Sequence, residues 1–150
     1  MVKLQTEVKT NKFENVFQQS LVNLIFTYHW SNQKVKEMLS PFDITPQQYN
    51  VLRILRGQYP SPSTVNLIKA RILDKMSDTS RIVDRLIQKG YVDKSVNNYD
   101  KRAVDIIISD KGLSLLKKMD KEVNFSTFIE PNLTEDEAEQ LNVLLDKMRG

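Results

Sequence analysis

Hydropathy along this chain follows a helical period almost throughout and switches to a strand-like pattern in one place, between residues 91 and 108. There, Tyr91-Val92-Asp93-Lys94-Ser95-Val96 and Arg102-Ala103-Val104-Asp105-Ile106-Ile107-Ile108 flank the turn cluster Asn97-Asn98-Tyr99-Asp100. A lone hairpin among helices excludes sandwiches, barrels and doubly wound sheets, which need strands throughout the chain. The expectation is therefore a mainly α fold that is α+β only by virtue of this one hairpin. With 150 residues the chain suits one domain and can bury a core without staples.

Helix signals surround the hairpin. Upstream, Phe13, Val16, Phe17, Leu21, Leu24, Ile25, Tyr28, Val35 and Leu39 recur at helical spacing, so one long helix is expected from about 10 to 39, closed by Pro41. A helix of about 30 residues spans roughly 45 Å, more than one small core can cover. Thr45-Pro46-Gln47-Gln48 is a helix start with a capping box, and Gly57 is the expected stop. After the Tyr59–Ser63 link, Ser63 or Thr64 caps a short helix with Val65, Leu67, Ile68 and Ile72 turned inward. Leu73-Asp74-Lys75 reads as a break, and a further helix is expected over 75–89, with Met76, Ile82, Val83, Leu86 and Ile87 apolar and Gly90 ending it. Ser77, Thr79, Ser80, Arg81 and Arg85 lie off that stripe, on the outer face. Beyond the hairpin, Ser109 caps a helix bearing Leu113, Leu115, Leu116 and Met119, and Leu133-Thr134-Glu135-Asp136-Glu137 starts the last one.

Several function classes drop out early. The chain has no cysteine, which removes disulfide scaffolds, thiolate metal sites and thiol redox sensing together. Its one histidine, His29, has no partner constellation for a triad or a metal, and no GxGxxG, GxxxxGK[ST], HExxH or GxSxG motif occurs. No enzyme activity, metal or cofactor is expected. The first residues lack an apolar signal core, and no long apolar run suits a membrane, so a cytoplasmic location is expected. Charge is uneven: residues 1–60 carry seven basic against four acidic side chains, 61–104 nine against five, and 105–150 six against ten. A polyanion would meet the basic middle.

That middle holds two short helices joined by a tight turn, the second with hydroxyls and arginines outward, followed at once by a hairpin. This order makes a helix-turn-helix with a wing. Such a unit lays its second helix in the DNA major groove, where Ser and Thr reach bases or phosphates and Arg grips guanine. The candidate DNA-binding residues are Ser77, Thr79, Ser80, Arg81, Arg85 and, at the wing, Lys101 and Arg102, with Asp100 placed to orient Arg102.

Two stretches also carry a family resemblance. DKRAVDIIISDKG, from Asp100 to Gly112, resembles the wing signature of MarR-type winged helix-turn-helix regulators through Asp100, Arg102, Ile106, Ile108, Ser109 and Gly112. SRIVDRLIQKGYV is similar to that family's recognition-helix end at Arg81, Asp84, Arg85, Leu86, Gly90 and Tyr91. The turn at 73–77 lacks a Gly that the family often uses. The resemblance implies a single domain over 1–150: a winged helix-turn-helix lobe at 45–108, with dimerisation helices at 10–40 and 109–150. It implies a homodimer on double-stranded DNA, regulating transcription from a pseudo-palindromic site with half-sites about 10 base pairs apart. Phe13, Phe17, Phe128, Ile129, Leu141, Leu144, Leu145 and Met148 are the interface candidates. It further implies a pocket for a small aromatic or phenolic effector, for which Tyr28, His29, Trp30 and Tyr49 are the candidates. A dimeric interaction module with this fold but without specific DNA binding is the alternative; it predicts only weak, unspecific polyanion binding.

Overall fold

Most helix boundaries sit where a side chain takes over backbone amides that the first turn leaves unpaired. The computed structural model describes residues 3–10, 12–97 and 104–150. After a single turn of helix, α1 (Leu4–Glu7), the long helix α2 runs from Val16 to Leu39. It starts later than the periodicity suggests. The Asn15 side chain accepts from the Phe17 and Gln18 amides at 3.0 and 2.9 Å, and Lys9 upstream sits at a left-handed φ of 52°. Phe13 therefore lies before the helix and not on its stripe. At 24 residues, α2 extends about 36 Å. A 3₁₀ turn at Ser40–Phe42 and a left-handed Asp43 redirect the chain.

Helix α3 (Pro46–Gln58) opens with the expected capping box: Gln48 N donates to Thr45 Oγ1 at 3.1 Å, and Thr45 N donates to Gln48 Oε1 at 3.2 Å. It runs past Gly57, which sits inside the last turn. Helix α4 (Val65–Arg71) is capped by Thr64. Helix α5 (Thr79–Gln88) is shorter than expected, because Asp78 is its cap and accepts from the Arg81 amide at 3.1 Å. Met76 is thereby excluded from the helix and from its apolar stripe. Gly90, at φ 74°, follows as the left-handed stop.

Strands β1 (Val92–Val96) and β2 (Val104–Ile108) pair antiparallel, with Val92 opposite Ile108 and Val96 opposite Val104. The linker before α4 joins this sheet at one point. Ser63 exchanges both backbone bonds with Ile106, at 2.7 and 2.8 Å, a pairing that no strand pattern in the sequence announces. Helix α6 (Asp110–Glu122) then leaves the hairpin, turns span 125–132, and α7 (Glu135–Arg149) closes the chain with a second capping box, Thr134 with Glu137.

The core lies between these elements. Leu39, Val51, Leu52, Leu55, Ile68, Ile72, Val83, Leu86, Val92, Ile106, Ile108, Leu116 and Met119 are all but inaccessible to solvent. Each such side chain contributes about 1.5–3 kcal/mol of burial. Arg56 on α3 clamps Asp120 on α6 through two bonds, at 2.6 and 3.2 Å. This hydrogen bonding is the main reason the Asp120 carboxyl is held below the usual carboxylate range, outweighing the desolvation that opposes it, with Coulomb attraction adding less. α2 adds only Leu39 to the core, and α7 adds nothing.

Candidate nucleic-acid interface

Helix α5 is presented by the turn before it. The Leu73 amide donates to Asn50 Oδ1 at 2.9 Å, the Met76 amide to Asp74 Oδ1 at 3.1 Å, and the Ser77 amide to Asp74 O at 3.1 Å. Hydrogen bonding from Ser77 is the main reason the Asp74 carboxyl titrates below its usual range. With Val83 and Leu86 buried, α5 turns Ser80, Arg81, Asp84 and Arg85 to solvent. Among the described residues neither Arg81 nor Arg85 has an ion-pair partner, whereas Asp84 pairs with Lys94 of β1 at 3.8 Å. Two unpaired guanidiniums one turn apart thus share an exposed helix face, four residues being one turn.

The expected outer set is not all on that face. Thr79 is 4% exposed and its hydroxyl finds no partner among the described residues. It turns inward because it precedes the buried Val83 and Leu86 by four and seven residues and so shares their helix face. Ser77 is half-buried and precedes the helix, tied to Asp74. Asp100, Lys101 and Arg102 lie outside the described residues. At the edge of that segment, Asn97 Nδ2 donates to Asp105 Oδ1 at 2.9 Å.

The hairpin is held to the body by a tight joint at its base. Ser109 N donates to Tyr91 O at 3.0 Å, and Ser109 Oγ donates to Gly90 O at 2.7 Å while accepting from the Gly112 amide at 3.1 Å. A Cβ on residue 112 would stand 2.4 Å from the Tyr91 carbonyl oxygen. Only glycine allows α6 to come this close to the end of α5. The Lys89 ammonium at that same end bonds the Asp43 carbonyl and its carboxylate, the latter at 3.0 Å.

A cleft of about 790 Å³ opens between α2, α3 and the α4–α5 turn. Tyr28 and Tyr49, both expected there, line it together with Val35, Arg53, Phe125 and the turn residues Ile72 to Lys75. Tyr49 packs on Phe125 with ring centres 5.0 Å apart, and Arg53 Nη1 donates to the Tyr49 hydroxyl at 3.0 Å. The other two candidates do not line it. His29 stands edge-on to Tyr28 with ring centres 5.3 Å apart, and Trp30 packs on Phe128 at 5.4 Å. They follow Tyr28 on the helix by one and two residues, so they point to other sides. Sequence reading missed Asn50 and Arg53. Arg53 is one turn after Tyr49 and its position was readable; the Asn50 bond to Leu73 crosses between elements and leaves no local signal.

A third surface is apolar. Val16, Phe17, Leu21 and Ile25 on α2, and Leu141, Val143, Leu144 and Met148 on α7, are exposed, as is Ile129 in the turns between α6 and α7. Of the remaining interface candidates, Phe13, Phe128 and Leu145 are half-buried. Among the described residues no three His, Asp or Glu side chains group as a metal site, and no helix is long and apolar enough to cross a membrane.

Comparison with known proteins agrees with this arrangement. A model of the MarR family matches residues 42–103. The multiple antibiotic resistance protein MarR of Escherichia coli is 34% identical over 126 residues, covering 80% of this chain and 86% of that protein. A structure of a mutant E. coli MarR complexed with operator DNA superposes with a TM-score of 0.73 at 29% identity, covering 90% of this chain and 99% of that one. The organohalide-sensing regulator RdhR in its 2,4-dichlorophenol-bound form reaches a TM-score of 0.82 at 22% identity over 93% of this chain and 84% of its own, a likeness of fold. The lobe that carries Arg81 and Arg85, the hairpin behind it and the long flanking helices together make this chain a member of the MarR family of winged helix-turn-helix transcriptional regulators.

Proposed function

We propose that this regulator is a homodimeric repressor that binds a pseudo-palindromic operator through α5 and the wing and is released by a small aromatic effector. The observation that carries the DNA reading is the solvent face of α5, where Ser80, Arg81 and Arg85 stand exposed and the arginines have no ion-pair partner among the described residues. An exposed, unpaired guanidinium pair costs nothing to desolvate from a salt bridge and meets either guanine edges or phosphates. In this reading Arg81 contacts a base, Arg85 and Ser80 a base or flanking phosphate, and Ser77 a phosphate at the helix start. Lys101 and Arg102 follow the adjacent minor groove, with Asp100 orienting Arg102. Thr79, turned inward, has no DNA contact in this scheme. The working unit is binding, with no catalytic step, in the cytoplasm.

Dimer pairing uses residues 10–40 and 109–150, within which the apolar faces of α2 and α7 are otherwise left in water. It sets two lobes, 45–108, about one helical turn of DNA apart, or roughly 34 Å. The cleft supports the effector step. Aromatic walls from Tyr28, Tyr49 and Phe125, with Arg53 beside them, suit a ring that carries an acidic or hydroxyl group. Its floor includes Ile72 to Lys75, the turn that aims α5, so an occupant that displaces this turn weakens DNA binding.

Selection of genomic fragments followed by gel shift tests the reading. A selected upstream fragment binds roughly a thousandfold or more tighter than its scrambled sequence. Equal affinity for both favours the interaction-module alternative. A panel of phenols and aromatic carboxylates then shows whether any member releases the complex, and whether Tyr49→Ala abolishes that release.

A further inference from the structure

Among the described residues three apolar side chains stand out from the surface most fully: Phe17 at 81%, Leu73 at 84% and Met76 at 94% exposure. Phe17 belongs to the apolar face of α2, beside Val16 and Leu21, and Leu73 lines the cleft. Met76 shares neither setting. It is neither on a terminal helix nor among the residues that line the cleft, yet its backbone is held firmly. The Met76 amide donates to Asp74 Oδ1, the next amide to Asp74 O, and the neighbouring Lys75 ammonium to Ala70 O at 2.6 Å. Two residues later Asp78 caps α5. The chain thus fixes the turn and extends an unbranched thioether into water directly ahead of the recognition helix. A singly exposed apolar residue needs no explanation by itself. Here the place supplies one, because Met76 stands in the turn that leads into a helix whose N-terminal end faces base edges.

We infer that Met76 is a specificity-determining residue that packs against the C5-methyl group of a thymine in the major groove of the operator. This rests on the reading that the chain binds DNA through α5. The thymine methyl is the one apolar feature of the major-groove edge, and it is read by apolar contact. A flexible, polarizable thioether is well suited to cover it. Arg81 offers hydrogen bonds to a neighbouring polar edge, so Met76 adds a distinction it cannot make, between thymine and a base that lacks the methyl.

The test replaces thymine by deoxyuridine, which removes the methyl and leaves every hydrogen-bonding group. Each thymine of a selected operator is replaced in turn, symmetrically in both half-sites, and affinity is measured for wild type, Met76→Ala and Met76→Leu. At one position wild type loses about fourfold per half-site, and roughly fifteenfold for the symmetric pair, the worth of one buried methyl. Met76→Ala loses nothing at that position and matches wild type at all others, whereas Met76→Leu keeps most of the wild-type loss. Met76 is exposed, so the thermal stability of both variants stays at the wild-type value. If wild type binds the operator but deoxyuridine costs wild type and Met76→Ala alike at every position, the thymine contact is wrong while the DNA reading stands. If wild type prefers no selected fragment over scrambled DNA, the DNA reading fails and the contact with it.

Discussion

The lobe, whose core is completed by Leu39 before it and α6 after it, and the terminal helices α2 and α7 are built from similar proportions of apolar residues but place them differently. In the lobe most apolar side chains face one another across short helices and a hairpin and form a buried core, with Leu73 and Met76 in the turn before α5 as exceptions. On α2 and α7 they face water, with Leu39 the one fully buried residue of the two helices. The lobe is therefore complete within one chain, while the terminal helices are complete only against something else. In the proposed reading the finished part binds DNA, and the unfinished part is where a second copy fits. Stability of the lobe should not depend on protein concentration, and that of the terminal helices should.

The largest effect comes from removing the unfinished face. Deleting residues 133–150 takes away α7 and is expected to abolish the dimer, leaving aggregates or a monomer by light scattering. A truncated chain that stays a soluble dimer with unchanged thermal stability breaks the comparison at its root. Single substitutions then separate the two regions. Leu86→Ala, fully inside the lobe, should cost about 2–5 kcal/mol at any protein concentration. Phe17→Ala should leave the lobe intact and instead steepen the concentration dependence of the melting temperature. If both variants behave alike in a dilution series, the division is wrong.

Gly112→Ala probes the joint between the lobe and the rest. The 2.4 Å approach to a backbone oxygen cannot be relieved by a rotamer change, so α6 must shift, at a cost of about 1–3 kcal/mol. The hairpin moves with α6, so operator affinity should fall further than stability alone explains. A variant as stable as wild type in urea would contradict this packing. The smallest effect belongs to Arg56→Ala. Its partner Asp120 is half-exposed, so after screening the pair is worth less than about 1 kcal/mol. Because Asp120 titrates lower when folded than its ordinary value of 3.8, its contribution is present above that pH and fades as pH falls below it. The stability gap between wild type and Arg56→Ala should therefore be constant near neutrality and narrow in acid. A gap that widens in acid would reverse the assignment.

Much of this was readable from residues in a row. The capping boxes at Thr45 and Thr134, the Ser109 cap, the Gly90 stop and the single hairpin are local signals, and each is found where its pattern lies. The inward stripe of α5, Val83 and Leu86, followed from helical spacing. Two starts were misread for one reason. Asn15 and Asp78 end the periodic run from inside it, because a short polar side chain that bonds nearby amides outcompetes the apolar spacing. That shift moved Met76 from the stripe to the turn; Thr79 was misplaced for another reason, since its spacing from Val83 and Leu86 already put it on the inner face. The Ser63–Ile106 bridge, the Asn50 bond to Leu73 and the place of Arg53 beside Tyr49 in the cleft are products of tertiary approach. His29 and Trp30 were grouped with Tyr28 by adjacency, which on a helix means different directions. The wing residues Asp100, Lys101 and Arg102 rest on the sequence pattern.

The central claim is that the exposed face of α5 reads DNA, and Arg81→Ala tests it most directly. Affinity is titrated for wild type and the variant on a selected operator and on its scrambled counterpart, with every position of one half-site varied in turn. Arg81 has no ion-pair partner among the described residues, and only its backbone amide enters the Asp78 cap, so the variant should fold as wild type does. The account predicts a loss of about 1–3 kcal/mol on the operator, relaxed preference at one base pair per half-site, and little change on scrambled DNA. Wild-type affinity and an unchanged preference at every position in Arg81→Ala would contradict it.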